Sequence, residues 1–252
     1  MYTDVTSWPS NLNRREPLPL YYQLKELLKD LIDQGKIPPH QQLPSEQKLA
    51  ERYGISRMTA RRTLEELVAE GYVYRAQGRG TFVAEPKLRQ SLMLLTSFSE
   101  DMRARGLEPG AKVIDVDVLQ RPGIARKLQA DDDEHLIKVQ RVRLANREPM
   151  ALETSFLRHR FCPGLEEADL TNRSLYEVLA SQHGVQLARA EQTLEAKLSD
   201  EYESDILQIA PGSAVLLIER LTFLDDDVTP VEFVSSTYRA DRYKFFIQLD
   251  RR

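Results

Sequence analysis

The sequence predicts an α+β protein in two parts: a small N-terminal unit of three helices closed by a β-hairpin, and a larger unit around a largely antiparallel sheet. Three observations carry this reading. Apolar residues at helical spacing with clear cap signals run from Leu20 to Val68. Alternating strand patterns separated by tight polar turns dominate beyond Asp115, and a polar stretch containing Pro86 lies between the two regions. The 252 residues suffice for two domains of about 100–200 residues each.

Taken in order, residues 1–16 contain Trp8, with breakers at Pro9 and Pro17 and no apolar period, which predicts a flexible arm. Leu20, Leu24, Leu27, Leu28, Leu31 and Ile32 then mark an amphipathic scaffold helix ending at Gly35. A second helix should start at the N-cap Ser45, backed by Glu46, and stop at Gly54, burying Leu49, Ala50 and Tyr53. Ser56 caps a third, with Ala60, Leu64, Leu67 and Val68 on its apolar side and Gly71 closing it. Tyr72–Arg75 and Thr81–Val83 form a hairpin around Ala76-Gln77-Gly78-Arg79-Gly80. The outward side of the third helix begins with Arg57, Thr59, Arg61 and Arg62.

That layout is a winged helix-turn-helix over residues 17–84, which docks on duplex DNA. The first residues of the second helix of such a pair enter the major groove, where arginine pairs with guanine or holds phosphates. A Gly-Arg-Gly tip can approach a narrow minor groove closely. Net charge supports this once the chain is divided. The whole carries −4, but residues 1–90 hold 14 Lys and Arg against 11 Asp and Glu, leaving 21 against 28 beyond. A basic face on the first part implies salt-dependent binding by counterion release.

Residues 85–94 read as a linker and 95–252 as the second domain. Helices fit at 98–105, 124–128, 174–183 and 200–209. Val116 and Val118 alternate with aspartates; Leu136–Leu144 and Met150–Arg158 flank one hairpin turn; Ala214–Leu224 and Val231–Tyr238 flank another around Asp225-Asp226-Asp227; Phe245–Leu249 is a last strand. Arg141 and Arg143 lie two apart and so share the strand face of Ile137 and Val139, the inner one. Two buried guanidinium groups require an anion. The residues leave two partners open: Glu153 on the facing strand, or an anionic ligand, for which a phosphate offers more acceptor oxygens than a carboxylate. Glu232, Ser236 and Tyr238 share one face of a later strand and could read hydroxyls or an amide.

Composition is that of a soluble globular protein, 41% hydrophobic and 29% charged. No apolar run approaches the roughly 20 residues that span a bilayer, and no signal-peptide core precedes the domain, so a cytoplasmic protein without a membrane partner is expected. Cys162 is the only cysteine, which excludes an intrachain disulfide. The four histidines show no metal spacing, and no nucleophile elbow occurs, so no metal, cofactor or enzyme activity is expected.

The run Leu43–Val83, with PSE, LA, YGISR, T, R and GRGTFV in order, resembles the GntR family of bacterial transcription regulators. The resemblance implies DNA contacts at Ser45, Gln47, Ser56, Arg57, Thr59, Arg61, Arg62, Gly78, Arg79 and Gly80. Gln47 departs from the family, many of whose members carry arginine there. The second part, through LTSFSEDMRARG, RVRLANREPMALETS and YRADRYKF, resembles the UTRA effector domain of the HutC branch, which has the chorismate-lyase fold, and is most similar to regulators of N-acetylglucosamine use. This implies a sugar-phosphate site, with Ser97 or Ser99, Arg141, Arg143, Ser174 and Tyr176 at the phosphate and Phe98, Glu153, Glu232 and Tyr238 at the sugar. It also implies a homodimeric repressor on a palindromic operator, with urocanate, phosphonates and other sugar phosphates as alternative effectors. The lyase-like fold leaves an enzyme domain fused to a DNA-binding module as the rival class.

Overall fold

The computed structural model describes residues 8–9, 12–91, 94–226 and 228–249. Parts of the expected arm (1–7, 10–11), linker (92–93), second hairpin turn (227) and C-terminal end (250–252) therefore lie outside the described residues. The chain forms two compact units, residues 1–88 and 89–252.

The first unit contains α1 (Leu20–Asp33), α2 (Glu46–Tyr53), α3 (Arg57–Ala69), β1 (Val73–Ala76) and β2 (Gly80–Val83). The Ser45 hydroxyl accepts the Lys48 amide of α2, and Ser56 does the same for Thr59 of α3. Gly54 ends α2 at φ +61°, a left-handed conformation that costs glycine nothing. Leu24, Leu28, Leu31, Leu49, Tyr53, Ala60, Leu64 and Leu67 form one core with Val73 and Val83. Thr63 is also fully buried, its hydroxyl bonded to the Tyr21 and Thr59 carbonyls. Lys25 and Lys29 of α1 both bind Glu70, at 2.5 and 2.8 Å, tying the first helix to the end of the third.

The expected arm is not free where it is described. Trp8 is only 5% exposed and belongs to the core of this unit. Arg52 donates to the Trp8 carbonyl at 2.7 Å, and Arg14 donates to the Gly54 carbonyl at 2.5 Å. Packing a large indole outweighs the neighbouring prolines and the lack of local periodicity, which together predict a free arm.

The second unit is a six-stranded antiparallel sheet in the order β4-β5-β6-β9-β8-β7, comprising β4 (Pro109–Gln120), β5 (His135–Ala145), β6 (Glu148–Arg158), β7 (Leu187–Leu198), β8 (Ala214–Leu224) and β9 (Pro230–Arg239). One face carries α6 (Leu175–His183), whose Leu175, Val178 and Leu179 pack on Ile137, Val139 and Leu157. The other face carries α5 (Pro122–Lys127) near Leu136, Phe156 and Phe233, and α7 (Glu201–Leu207) over Leu152 and Val215. Helix α4 (Phe98–Ala104) follows the linker.

Two expectations change. Residues 88–91, placed in the linker, form strand β3 (Leu88–Ser91), paired with β10 (Tyr243–Phe246), which also starts two residues earlier than the expected 245–249. Strand β7 was not anticipated: LARAEQTLEAKL is rich in helix formers, and its largely exposed edge position gives no alternating apolar face. Eleven register pairs with β8 impose the strand on it. Among the described residues no helix is long and apolar enough to cross a membrane.

Replacing Trp8 by alanine should cost the first unit about 3 kcal/mol, the usual loss for truncating a buried aromatic. A thermal melt shows the outcome; an unchanged midpoint would mean that Trp8 is not part of the core.

Candidate nucleic-acid interface and effector cavity

The expected reading face lies on α3 and the β1–β2 hairpin. The side chains of Arg57, Arg61, Arg62 and Arg75 are 74, 52, 59 and 44% exposed. Each has an internal carboxylate within reach: Arg57 meets Glu46 at 3.3 Å, Arg61 meets Glu65 at 2.8 Å, Arg62 lies 3.9 Å from Glu66, and Arg75 is 3.8 Å from both Glu46 and Glu65. Arg62 also stacks over the Tyr21 ring at 3.7 Å. Exposed pairs of this kind are weak, so a phosphate can exchange for the carboxylate at small cost.

The other expected contact residues fall around this face. Ser45 and Ser56 are engaged as caps, and the Ser56 hydroxyl also meets that of Thr59 at 2.8 Å. Gln47 donates to Glu51 one turn along α2. At the wing, Gly78 and Gly80 have φ of +70° and +122°. A Cβ on Gly80 would lie 2.5 Å from the Gln42 amide nitrogen, which itself donates to the Arg79 carbonyl and so braces the tip. Arg52, five residues before Arg57, is not part of this face: it holds the Trp8 carbonyl.

In the second unit, a small cavity, partly open to solvent, is lined by Ser97, Phe98, Arg141, Arg143, Glu153, Ser174, Tyr176, Glu232 and Tyr238, together with Thr96, Leu175, Arg220, Val234 and Ser236. Nine of the ten expected effector residues are therefore brought together. The tenth, Ser99, lies behind the wall, where its hydroxyl accepts from Arg143 at 2.9 Å. Antiparallel register explains the convergence: Arg141 sits opposite Glu153, Glu153 opposite Ser236, and Ile218 opposite Ser236. Two helix ends complete the wall, since Ser97 caps α4 and Ser174 caps α6 through their oxygens, leaving each hydroxyl hydrogen available to an acceptor.

The electrostatics are those of an undercompensated cation site. Arg141 and Arg143 are each 2% exposed. Arg141 binds Glu153 and the Arg173 carbonyl, whereas Arg143 stands 3.6 Å from the same carboxylate and 4.7 Å over the Phe98 ring. The Nε of both arginines is buried without a hydrogen-bond partner. Burial pulls the Arg143 guanidinium down to about 10, with Glu153 opposing and Arg141 reinforcing the fall. Burial would raise the Glu153 carboxyl, but Arg141 and Arg143 outweigh it and hold it below its ordinary value. Glu232 goes the other way, raised by burial and by Glu153 despite the Tyr176 hydroxyl at 2.9 Å.

Arg220 was missed. It lies on β8, five residues before the acidic turn that starts at Asp225, with no partner arginine at strand spacing to mark it. In the structure it reaches Tyr176 at 3.4 Å and Gln192 at 3.1 Å, so the cavity holds three guanidinium groups against two carboxyls. Among the described residues no group of three His, Cys, Asp or Glu side chains is placed to hold a metal.

A winged reading head followed by a sheet domain of this kind is the construction of a transcription regulator. The chain belongs to the GntR family: the model for "Bacterial regulatory proteins, gntR family" matches residues 20–83, and that for the UTRA domain matches residues 104–244. It is similar to the HTH-type transcriptional repressor NagR of Bacillus subtilis, with 42% identity over 96% of this chain and 99% of the relative. It is also similar to the histidine utilization repressor of Pseudomonas putida, 34% identical over 82% of this chain and 83% of that one. Among solved structures, PhnF from Mycobacterium smegmatis matches at a TM-score of 0.63 and 29% identity, over 90% of this chain and 99% of that one. The rival enzyme class therefore falls away, and the protein is a transcriptional regulator.

A depressed carboxyl contributes stability above its unfolded value, about 4.3, that is lost as pH falls through the folded value. Glu153→Gln should thus destabilise the second unit by about 3–5 kcal/mol at pH 7, because it leaves buried guanidinium charge uncompensated. The gap to the parent protein should narrow at pH 3. Urea midpoints at the two pH values test this, and a gap that does not change with pH would contradict it.

Proposed function

We propose that this regulator is a repressor, acting in the cytoplasm, that binds a palindromic operator as a homodimer and leaves it when an amino-sugar phosphate, such as N-acetylglucosamine 6-phosphate or glucosamine 6-phosphate, occupies the cavity. The observation that carries the effector class is the excess of guanidinium over carboxylate in a cavity that also presents two helix N-termini. A phosphate dianion answers that excess with several acceptor oxygens. Glu232, Tyr238 and Ser236 on the neighbouring strand face offer partners for sugar hydroxyls and the amine or amide. In this reading Glu153, held by Arg141 in the structure, shares the arginines with the phosphate and is no longer purely a sugar contact.

One winged domain reads a short half-site, so two-fold pairing on a palindrome supplies the affinity and length of a usable operator. An effector lowers operator affinity only by binding the DNA-incompetent arrangement more tightly, and the coupling is reciprocal. The segment 85–94 joining the units is where this coupling passes in our reading.

Fluorescence anisotropy of the protein on its own promoter fragment, titrated with N-acetylglucosamine 6-phosphate, glucosamine 6-phosphate, urocanate and a phosphonate, tests the proposal. Release by an amino-sugar phosphate alone supports it; release by urocanate or a phosphonate alone would reassign the effector. Arg61→Ala should weaken operator binding at least tenfold while leaving effector affinity intact, the loss of one good base or phosphate contact. Arg143→Ala should retain operator binding but lose the response to effector, and full retention of the response would make the arginine pair purely structural.

A further inference from the structure

The outward side of α3 is polar except at its centre. At about 100° per residue, the buried stripe of Ala60, Thr63, Leu64 and Leu67 points roughly opposite to Met58, with Arg57 and Arg61 flanking Met58 on one side and Arg62 and Thr59 on the other. Met58 is 68% exposed, whereas the other outward residues of the first turns, Arg57, Thr59, Arg61 and Arg62, are charged or bonded to the Ser56 cap. Nothing in the fold requires an unbranched thioether at that point. Its apolar surface gains only when something covers it.

A helix seated in the major groove turns the centre of its outward face to the base edges and its flanks to the two backbones. Arg57, Arg61 and Arg62 suit the flanks, and Met58 lies deepest. The one apolar group that base edges present in that groove is the C5-methyl of thymine. We infer that Met58 packs on a thymine methyl in each half-site and makes that position specific for thymine. Methionine suits the task because its flexible side chain adapts to a small apolar knob. This inference rests on the DNA-reading role of α3 proposed above.

The test uses the full-length protein and a duplex selected by it from a random-sequence library. That duplex is remade with uracil in place of each thymine in turn, which removes one methyl and nothing else. Affinities are read by anisotropy at fixed salt. The expected result is a two-fold-related pair of positions where uracil weakens binding about fourfold per site, the value of one buried methyl. Met58→Ala should bind the thymine and uracil duplexes alike, and Met58→Leu should keep most of the discrimination. Because Met58 is exposed, neither variant should change the far-UV circular dichroism or the melting temperature. Binding indifferent to every methyl, or discrimination that survives in Met58→Ala, would overturn the inference while leaving the reading head intact. Failure to select any duplex would remove the DNA-reading role itself, and this inference with it.

Discussion

Arg141 and Arg143 project from one strand into the same cavity, each 2% exposed, and share a single carboxylate at Glu153. Taking guanidinium groups out of water is costly unless charge and hydrogen bonds are returned to them. The second unit is arranged around that requirement. The opposite strand places Glu153 in register with Arg141, Phe98 offers its ring face to Arg143, and Ser99 accepts from the same side chain. These partners fall short of what three arginines can donate, as the two buried, unpartnered Nε atoms show. That deficit, beside the Ser97 and Ser174 caps, is what supports the anionic effector proposed above.

The same logic operates on the reading head with opposite burial. There the arginines are largely exposed and each rests against a glutamate of its own unit. In water these contacts are worth little, so they hold the side chains near the helix surface without competing strongly with phosphates. On the function proposed above, shallow internal pairing outside and deep, incomplete pairing inside serve two anion-binding surfaces of different character. The outer one suits a polyanion that releases counterions; the inner one suits a small ligand that is desolvated as it binds.

Much of this was legible in the sequence because it rests on local chemistry. Caps at Ser45 and Ser56, the left-handed Gly54 and the period-two spacing of Arg141 and Arg143 are short-range signals, and the structure keeps each of them. What the sequence concealed depends on partners distant in the chain. Trp8 looks like part of a tail until Arg52, 44 residues on, takes its carbonyl. Strand β7 carries no strand pattern of its own until β8 supplies its hydrogen bonds, and β3 reads as a linker until β10 pairs with it. Arg220 is an ordinary strand arginine until β8 lies beside β9 and turns it toward Tyr176. The role of Glu153 was visible in both of its alternatives, and the structure shows it on the arginines.

The central claim is that uncompensated guanidinium charge selects a phosphorylated ligand. Isothermal titration calorimetry of the full-length protein with glucosamine 6-phosphate and with unphosphorylated glucosamine tests it without any DNA. The account predicts that the phosphate ester binds at least about a hundredfold more tightly, the gain from two or more charge-assisted hydrogen bonds. Equal affinity for the two sugars, or binding of neither, would contradict it.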